Sequence, residues 1–334
     1  MEISTEIIGT GLYAPGEAIS NEELIELTGV EFDTDKFENK IGIKNRHIAK
    51  YRGLNESTVD FAEKASLNAI EDAGINAEDI GLIIMGTDTP EYITPASSIL
   101  LQGRLQKEEK WTSTFDVAAS CASFSIAYDN AVRIMATDKS IKYALVVGVY
   151  NMPNFIQGDD KFTIPIFADG AGAVVIKNNA DSKYINSQLL TDGTQFDFIG
   201  IYTGGAKKQF SQEVLDSKEY GLQSLKPLPG DRNVRLWPMV VNKLLEKANL
   251  SIDEIDHFFF TQINEFVIRE VMKELNQPMS KTTTVMDKYG YTGSGCIPMA
   301  FHEAAKAGRI KKGDKIIFMA SGAGLAVGSN LFIY

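Results

Sequence analysis

The chain has 334 residues, of which 44% are hydrophobic and 23% charged, and its net charge is −11 at pH 7. This length suits one large domain or two packed halves, and the acidic charge argues against nucleic acid as the main partner. Two cysteines are too few for a disulfide scaffold, and no apolar run approaches the roughly 18 residues of a membrane span. The N-terminus has no signal-peptide pattern, so we expect a globular, cytoplasmic enzyme without a membrane segment.

Strands and helices alternate along the first half of the chain. Residues 57–72 have helical spacing, and an acidic turn leads from them into an apolar strand that ends at Met85. Residues 112–117 are predicted to form a buried strand, a helix follows Cys121, and 143–148 is the next strand. Such alternation indicates sheets covered by helices, an α/β fold.

The second half repeats this order at an offset of 175 residues. Residues 248–260 align with 73–85, and the helices that precede these two segments also correspond. Cys296 aligns with Cys121, and each cysteine is followed by a predicted helix and a strand. Three ordered matches predict a duplicated α/β unit.

The repeat places an N-terminal half over 1–178 and a C-terminal half over 179–334. Two irregular segments, 151–167 and 202–233, interrupt the alternation of strands and helices. Long loops of this kind often line functional sites, so we expect them near the site.

Cys121 lies at the predicted turn between a strand and a helix, within residues 115–124. A helix N-terminus behind a thiol favours the thiolate through its dipole and its free backbone N–H groups. This placement suits a catalytic nucleophile. An inert core cysteine is the alternative, because free cysteines are commonly buried, and position alone leaves both open.

Five short segments in chain order resemble those of the thiolase superfamily and, within it, the 3-oxoacyl-[acyl-carrier-protein] synthase III family. They are an opening strand and turn, an arginine-containing loop, the cysteine elbow, a glycine-rich stretch and a C-terminal turn, at residues 8–15, 41–49, 116–124, 167–173 and 321–325. The resemblance covers nearly the whole chain. It implies a thiolase-like duplicated α/β fold and a homodimer.

The resemblance also implies an acyltransferase. In the family, a cysteine takes an acyl group from a coenzyme A thioester, and the acyl-enzyme condenses with a malonyl thioester after decarboxylation. Cys121 is then the nucleophile, and its N–H and that of Ala323 form the oxyanion hole that acyl transfer needs. The implied substrates are acyl-CoA or the phosphopantetheine of an acyl carrier protein, with no permanently bound cofactor and no metal.

Two catalytic positions depart from the family pattern. The family histidine precedes Gln-x-Asn, where this chain has Thr261, and the family asparagine follows a glycine, where this chain has Tyr291. Both replacements carry hydroxyl donors. Tyr291 therefore either donates a hydrogen bond in the second half-reaction or fills the pocket and blocks malonyl entry. The chain has three histidines, none of them a good substitute: His47, His257 and His302.

Substrate delivery is also altered. Lys40 stands where the family has an arginine that grips coenzyme A, and Phe266 replaces an arginine that helps to dock the carrier protein. With the acidic net charge, these changes leave carrier recognition open. We expect Cys296 to be a packed, unreactive thiol rather than a second base.

The sequence thus predicts an enzyme resembling 3-oxoacyl-[acyl-carrier-protein] synthase III that works through an acyl-Cys121 thioester in fatty acid, polyketide or related metabolism. The second half-reaction is open between condensation, transfer to another nucleophile, and hydrolysis. A catalytically weak partner subunit of a competent ketosynthase is the alternative. Loss of the two family partners favours that alternative, and the intact cysteine elbow disfavours it.

Overall fold

A computed structural model describes residues 3–107, 109–157, 159–178 and 182–334. The helices and strands of the first half, in chain order, are β1 (Thr5–Tyr13), β2 (Ile19–Ser20), α1 (Asn21–Thr28), α2 (Thr34–Lys36), β3 (Asn45–Arg46), α3 (Thr58–Ala73), β4 (Ile80–Gly86), α4 (Ser97–Leu105), β5 (Ser113–Val117), α5 (Ser123–Thr137), β6 (Tyr143–Tyr150) and β7 (Gly170–Asn178). A π-helical turn, Phe37–Ile41, lies between α2 and β3.

The second half follows the same general plan. Its helices and strands are β8 (Tyr184–Thr191), β9 (Ile199–Ile201), α6 (Gln212–Asp216), β10 (Leu222–Ser224), α7 (Arg232–Ala248), β11 (His257–Phe260), α8 (Glu265–Glu274), α9 (Met286–Tyr289), α10 (Cys296–Lys306), β12 (Lys315–Gly322) and β13 (Ala326–Ile333). None of the described helices combines the length and apolarity needed to span a bilayer.

Two mixed sheets carry the fold. The first has the order β1-β7-β6-β4-β5 and the second the order β11-β12-β13-β8. In the first, β4 runs parallel to β5 and β6, whereas β7 runs antiparallel to β6 and β1. In the second, β11 runs parallel to β12, whereas β13 runs antiparallel to β12 and β8.

The order β4-β6-β7-β1 therefore recurs as β11-β12-β13-β8, with the same strand directions. This confirms the predicted duplicated α/β fold. β5 has no counterpart in the described second sheet and lies at the edge of the first. The exact boundary between 178 and 179 stays a prediction, and residues 179–181 lie outside the described part of the chain.

Two helices lie between the sheets and form the centre of the core. α5 packs against β4 and β6 of one sheet and against β12 and β13 of the other, while α10 packs against β1, β7 and β11. Phe124 and Tyr128 of α5 contact Phe318 of β12, with ring centroids 5.9 and 5.7 Å from that of Phe318. The outer faces are covered by α3 on the first sheet and α7 on the second.

Local sequence sets the ends of the predicted helices. α3 begins at a capping box in which Ser57 and Asp60 bond each other's backbone N–H, and it ends at Gly74 in the left-handed conformation. At the inner face of the first sheet, a Cβ on Gly86 would lie 2.7 Å from the backbone N of Phe124. Glycine therefore lets α5 approach the end of β4 closely.

The irregular segments contain short elements that the sequence pattern did not predict. Residues 202–233 include α6 and β10, and β10 pairs with β9 as a separate two-stranded sheet. Residues 152–155 of the first irregular segment form a 3-10 turn. Both segments contribute residues to the cavity described next, as expected for long loops.

Candidate active site

A cavity of about 240 Å³ lies where the two halves of the chain meet. Cys121, Thr261, Tyr291 and Ala323 all line it, so the structure brings together the four residues predicted from sequence. Much of the remaining lining is apolar. Lys40 does not line this cavity.

Cys121 lies on a tight elbow between β5 and α5. The hydroxyl of Ser123 accepts the N–H of Ala119 at 2.9 Å and donates to the carbonyl of Ser120 at 2.6 Å. Ser120 itself has a φ of 50°, a left-handed conformation that is uncommon for residues other than glycine. The elbow is thus held in a shape that presents the next residue, Cys121, to the cavity.

The environment of the Cys121 thiol opposes ionisation. The side chain is partly accessible from the cavity. Burial by the surrounding protein and the nearby Asp88 carboxylate raise the pKa of Cys121 to about 11, against a lowering by the hydroxyls of Tyr291 and Ser120. A helix N-terminus favours the thiolate, but burial and Asp88 outweigh this effect on Cys121. The thiol needs a proton acceptor at neutral pH.

The turn that carries Ala323 approaches the elbow very closely. A Cβ on Gly322 would lie 2.7 Å from the backbone N of Cys121 and 2.8 Å from the carbonyl oxygen of Ala119. Only glycine permits this approach. The contact brings Ala323 to the same cavity as Cys121, the arrangement that a shared oxyanion hole requires.

Thr261 follows β11 directly, and its hydroxyl has a structural partner. Its oxygen accepts the backbone N–H of Ser321 at 3.0 Å, and its own N–H donates to the carbonyl of Met319 at 3.1 Å. Thr261 therefore ties the end of β11 to the end of β12. The hydroxyl hydrogen is the part of the side chain left to donate elsewhere.

Tyr291 is fixed by its backbone and by its ring. Its N–H donates to the carbonyl of Ile166 at 3.0 Å, and its carbonyl accepts the N–H of Ala168 at 2.9 Å. The ring packs against Phe167 and Tyr150, with centroid distances of 5.5 and 6.3 Å. Among the described residues, its buried hydroxyl makes no hydrogen bond of ordinary geometry, but it interacts with the Cys121 thiol and lowers the pKa of that thiol. The hydroxyl is therefore a donor directed to the Cys121 sulfur.

Cys296 lies at the start of α10, as Cys121 lies before α5, but in a different environment. It is 1% exposed, and its sulfur accepts the N–H of Gln262 at 3.4 Å. Burial raises the pKa of Cys296 well above that of a free thiol. It does not line the cavity, which agrees with a packed, unreactive thiol.

Asp88 is a cavity residue that the sequence reading missed. It follows β4, whose last residue, Gly86, pairs with Val117 at the end of β5. The carboxyl is half-buried, and its Oδ1 has no hydrogen-bond partner among the described residues. Burial raises the pKa of Asp88 to about 6, against a lowering by the Ser120 hydroxyl.

Arg232 is the second missed polar residue. It begins α7, lines the cavity, and donates from Nη1 to Oε1 of Gln195 at 3.3 Å. Burial lowers the pKa of Arg232, whereas Cys121 and Tyr291 raise it. No carboxylate of the described chain pairs with it, so a positive charge faces the cavity opposite a mostly apolar wall.

Comparison with known proteins decides the family. Two family models match, described as 3-oxoacyl-[acyl-carrier-protein (ACP)] synthase III over residues 115–193 and as its C-terminal part over 245–334. The β-ketoacyl-[acyl-carrier-protein] synthase III of Clostridium acetobutylicum is 34% identical over 331 residues, covering 98% of this chain and 97% of the relative. The chain belongs to the 3-oxoacyl-[acyl-carrier-protein] synthase III family. It is accordingly an acyltransferase of the condensing type.

Solved structures agree with this assignment. The 3-oxoacyl-[acyl-carrier-protein] synthase III of Aquifex aeolicus has a TM-score of 0.85 and 30% identity, with 99% of this chain and 100% of that chain covered. The priming β-ketosynthase of the R1128 polyketide pathway shares the fold at a TM-score of 0.85 and 24% identity, over 99% of this chain and 97% of that one. The fold is therefore thiolase-like, as predicted.

The histidines of this synthase III family member are occupied elsewhere. His257 contacts the hydroxyl of Thr283 at 2.8 Å, and burial lowers its pKa to about 4. A ring nitrogen of His47 lies 3.0 Å from the carbonyl of Gly16, and one of His302 lies 3.0 Å from the hydroxyl of Thr10. No histidine lines the described cavity.

Lys40 and Phe266, which are far apart in sequence, meet on the surface. The Lys40 ammonium lies 5.6 Å from the centre of the Phe266 ring, and that side chain is 46% exposed. The two residues that the sequence analysis associates with altered substrate delivery are thus neighbours. The structure places neither of them in the cavity.

A sequence signal existed for Asp88 but not for Arg232. An acidic residue directly after a buried parallel strand lies at the carboxyl edge of the sheet, where ligands of α/β proteins bind. Applied to β4 and β5, this rule points to Asp88 beside the Cys121 elbow. Arg232 comes from the irregular segment 202–233, and no periodic pattern there predicts the direction of a side chain.

Proposed function

We propose that this synthase III-like enzyme transfers an acyl group through a covalent thioester on Cys121. The Cys121 sulfur attacks the carbonyl carbon of an acyl-CoA or acyl-carrier thioester, and the bond to the departing thiol breaks. A second substrate then takes the acyl group and releases the cysteine. The backbone N–H groups of Cys121 and Ala323 stabilise the oxyanion in each step.

One observation carries this proposal: the elbow that bears Cys121 and the turn that bears Ala323 are in backbone contact at a single cavity. A Cβ on Gly322 would lie 2.7 Å from the Cys121 nitrogen, so there is no room for a side chain between the two turns. Such close approach is what two backbone donors need in order to reach one carbonyl oxygen. The apolar side of the cavity, which includes Ile199, Ile201 and Leu222, suits a hydrocarbon acyl chain.

In the second half-reaction we assign Tyr291 as the hydrogen-bond donor. Its buried hydroxyl interacts with the Cys121 thiol and makes no other hydrogen bond among the described residues, whereas the Thr261 oxygen already accepts the Ser321 N–H. Tyr291 therefore has the greater capacity to meet a developing negative charge. The acceptor is a malonyl thioester for condensation, or another nucleophile for transfer.

The proposal includes the carriers and the assembly. The relatives are named for an acyl carrier protein, which supports a carrier thioester as one substrate, with coenzyme A as the other carrier. Lys40 would contact an anionic part of either carrier at the surface. We also propose a homodimer, supported by the uncovered edge strand β5, and a cytoplasmic location.

A catalytically weak partner subunit is the second candidate. It is favoured by the raised pKa of Cys121, about 11, and by a described cavity without a histidine. In that case the fold and the cavity would persist for binding, without acyl turnover. The two candidates differ in whether the protein gains the mass of an acyl group.

The test is intact-mass spectrometry of the protein incubated with a panel of acyl-CoA thioesters. We expect one acyl addition, mapped to Cys121, that is absent in Cys121→Ala and retained in the matched Cys296→Ala variant. Release of a free carboxylic acid without an acceptor would identify hydrolysis. No addition with any thioester, or addition only at Cys296, would overturn the proposed function and support the partner-subunit candidate.

A further inference from the structure

Asp88, Ser120 and Cys121 form a connected polar group on one wall of the cavity. The Ser120 hydroxyl oxygen lies 3.7 Å from the Cys121 sulfur. The same hydroxyl interacts with the Asp88 carboxylate and lowers its pKa. All three residues line the cavity. The serine is thus placed between a thiol and a carboxyl.

One oxygen of the Asp88 carboxyl has no structural partner in the described chain. Its Oδ1 is buried without a hydrogen-bond partner among the described residues. Asp116, at the end of the neighbouring strand β5, shows the contrast, because its two oxygens accept the N–H groups of Ser98 and Ser97 at 2.8 and 2.7 Å. An orphaned carboxylate oxygen beside a nucleophile is costly unless it acts on a ligand or a proton.

Among the titratable groups that line the cavity, Asp88 is the best candidate for a general base. The titratable groups around it are Cys121 on the elbow, Tyr150 on β6, Tyr291 after α9 and Arg232 on α7. Both tyrosines have pKa values raised well above 10 by burial. Neither they nor the guanidinium can accept a proton near neutral pH, whereas a carboxylate can.

We propose that Asp88 is the general base that activates Cys121, acting through the Ser120 hydroxyl. This assignment rests on the proposed acyl transfer at Cys121 and fills the role for which the described cavity offers no imidazole. It also explains why a left-handed serine precedes the cysteine. That conformation directs the Ser120 hydroxyl to the gap between thiol and carboxyl.

The proton balance of the step is complete. As the Cys121 sulfur forms its bond to the thioester carbon, the thiol proton passes to the Ser120 oxygen and the Ser120 proton passes to Asp88. When the tetrahedral intermediate collapses, the bond to the carrier sulfur breaks, and the carboxylic acid returns its proton to the departing thiolate. The products are acyl-Cys121 and the free carrier thiol, with no net change at Asp88 or Ser120.

The variant Asp88→Asn separates a base from a merely electrostatic neighbour. As a base, Asp88 contributes about 10²–10⁴ in rate, so acylation of Cys121 followed by intact mass should slow by that factor. Alkylation of the same thiol by iodoacetamide should not slow, because loss of the carboxylate lowers the thiol pKa and increases the thiolate fraction. The wild-type acylation rate should rise with pH through about 6, and this step should be absent in the variant.

Two further variants and one control complete the design. Ser120→Ala should also slow acylation while preserving alkylation, and Glu26→Gln, which alters an exposed carboxylate on α1, should change neither rate. Equal or faster acylation by Asp88→Asn would overturn the assignment. A fall of both rates in Asp88→Asn and in Asp88→Ser would also overturn it, because Asp88 would then hold the elbow. If wild type is not acylated at all, the proposed function fails, and this inference fails with it.

Discussion

Thr261 and Tyr291 hold their hydroxyls in different environments, and this difference separates their roles. The oxygen of Thr261 accepts the N–H of Ser321 at 3.0 Å, so replacing it would loosen the ends of β11 and β12. The Tyr291 hydroxyl is buried, makes no hydrogen bond of ordinary geometry within the described chain, and interacts with the Cys121 thiol. A poorly satisfied buried hydroxyl costs about 1–3 kcal/mol, so this donor suits a bond that forms with a group attached to Cys121.

Substitutions at Tyr291 distinguish a hydrogen-bond donor in the second half-reaction from a ring that only fills the pocket. Tyr291→Phe keeps the ring among Tyr150 and Phe167 and removes only the hydroxyl. We expect the second half-reaction, started from preformed acyl-enzyme, to slow about 10²-fold or more, while the melting temperature changes little because the hydroxyl makes no hydrogen bond of ordinary geometry within the described chain. Tyr291→Ala should instead lower stability by about 3–5 kcal/mol, the range for large core truncations.

Turnover with larger second substrates distinguishes a hydrogen-bond donor role of Tyr291 from a space-filling role. If the ring only fills space, Tyr291→Phe will turn over at the wild-type rate, and Tyr291→Ala will accept bulkier second substrates. Wild-type turnover by the phenylalanine variant would contradict the donor role assigned here. Single-turnover transfer from isotopically labelled acyl-enzyme measures both variants on the same scale.

At the scale of elements, the β12–β13 turn must touch the β5–α5 elbow for the site to exist. Gly322→Ala would place a Cβ 2.7 Å from the Cys121 nitrogen, so the turn has to move away. We expect acylation to fall about 10²–10³-fold, the value of one oxyanion donor. Gly103→Ala in α4 is the matched control, since its Cβ meets nothing within 4 Å, and it should leave acylation unchanged.

A second element-scale contact depends on pH. Asp169 precedes β7 and is 0% exposed; its carboxyl accepts the N–H of Ala49 and the side-chain amide of Asn151, each at 2.8 Å. Burial raises the pKa of Asp169 to about 7. The folded protein thus binds a proton that the unfolded chain releases near pH 4, and this contribution to stability is lost as pH rises through about 7.

Protonation of Asp169 should therefore make the free energy of unfolding depend on pH. Between about pH 4 and pH 7, the free energy of unfolding should contain a term that falls by up to about 1.4 kcal/mol per pH unit. Asp169→Asn, which cannot ionise, should lack this term. Urea denaturation at several pH values measures the difference between the two proteins, and parallel curves would show that Asp169 is not protonated in the fold.

The sequence pattern was sufficient for the duplicated sheets but not for the irregular elements. Buried strands and capped helices are local signals, and Ser57 with Gly74 marks the two ends of α3 as expected. The same offset predicted the correspondence of α5 with α10. β9, β10 and Arg232 come from residues 193–233, where glycine and proline interrupt any period, so their placement depends on tertiary contacts.

The sequence predicted the site residues whose backbone conformation is fixed by a motif. It did not predict the protonation state of the Cys121 thiol. Cys121 and Ala323 lie on turns whose shape requires particular small residues, such as Gly322. The protonation of Cys121 depends instead on burial and on Asp88, which is 33 residues away in sequence. The helix dipole alone is therefore not enough to predict the protonation of the thiol.

At the scale of the whole molecule, the first sheet ends in β5, whose outer edge pairs with no strand of the described chain. β5 pairs with β4 on one side and with no strand on the other. Trp111, two residues before β5 in the chain, is 94% exposed. Ile93, which is 82% exposed, precedes α4, the helix that packs against β5. An open edge flanked by exposed apolar side chains favours pairing with another chain, and a second copy offers the same edge.

We therefore expect native mass spectrometry to give a species at twice the 36.7 kDa chain mass. The double variant Ile93→Glu with Trp111→Glu adds one charge just before β5 and one just before α4, which packs against β5. It should shift the protein towards monomer, because burying an unpaired charge in an interface is costly. Phe210→Glu, which alters an apolar residue 62% exposed in the other half, is the matched control and should stay dimeric. A monomeric wild-type protein, or monomers produced equally by the control variant, would contradict pairing through the β5 edge.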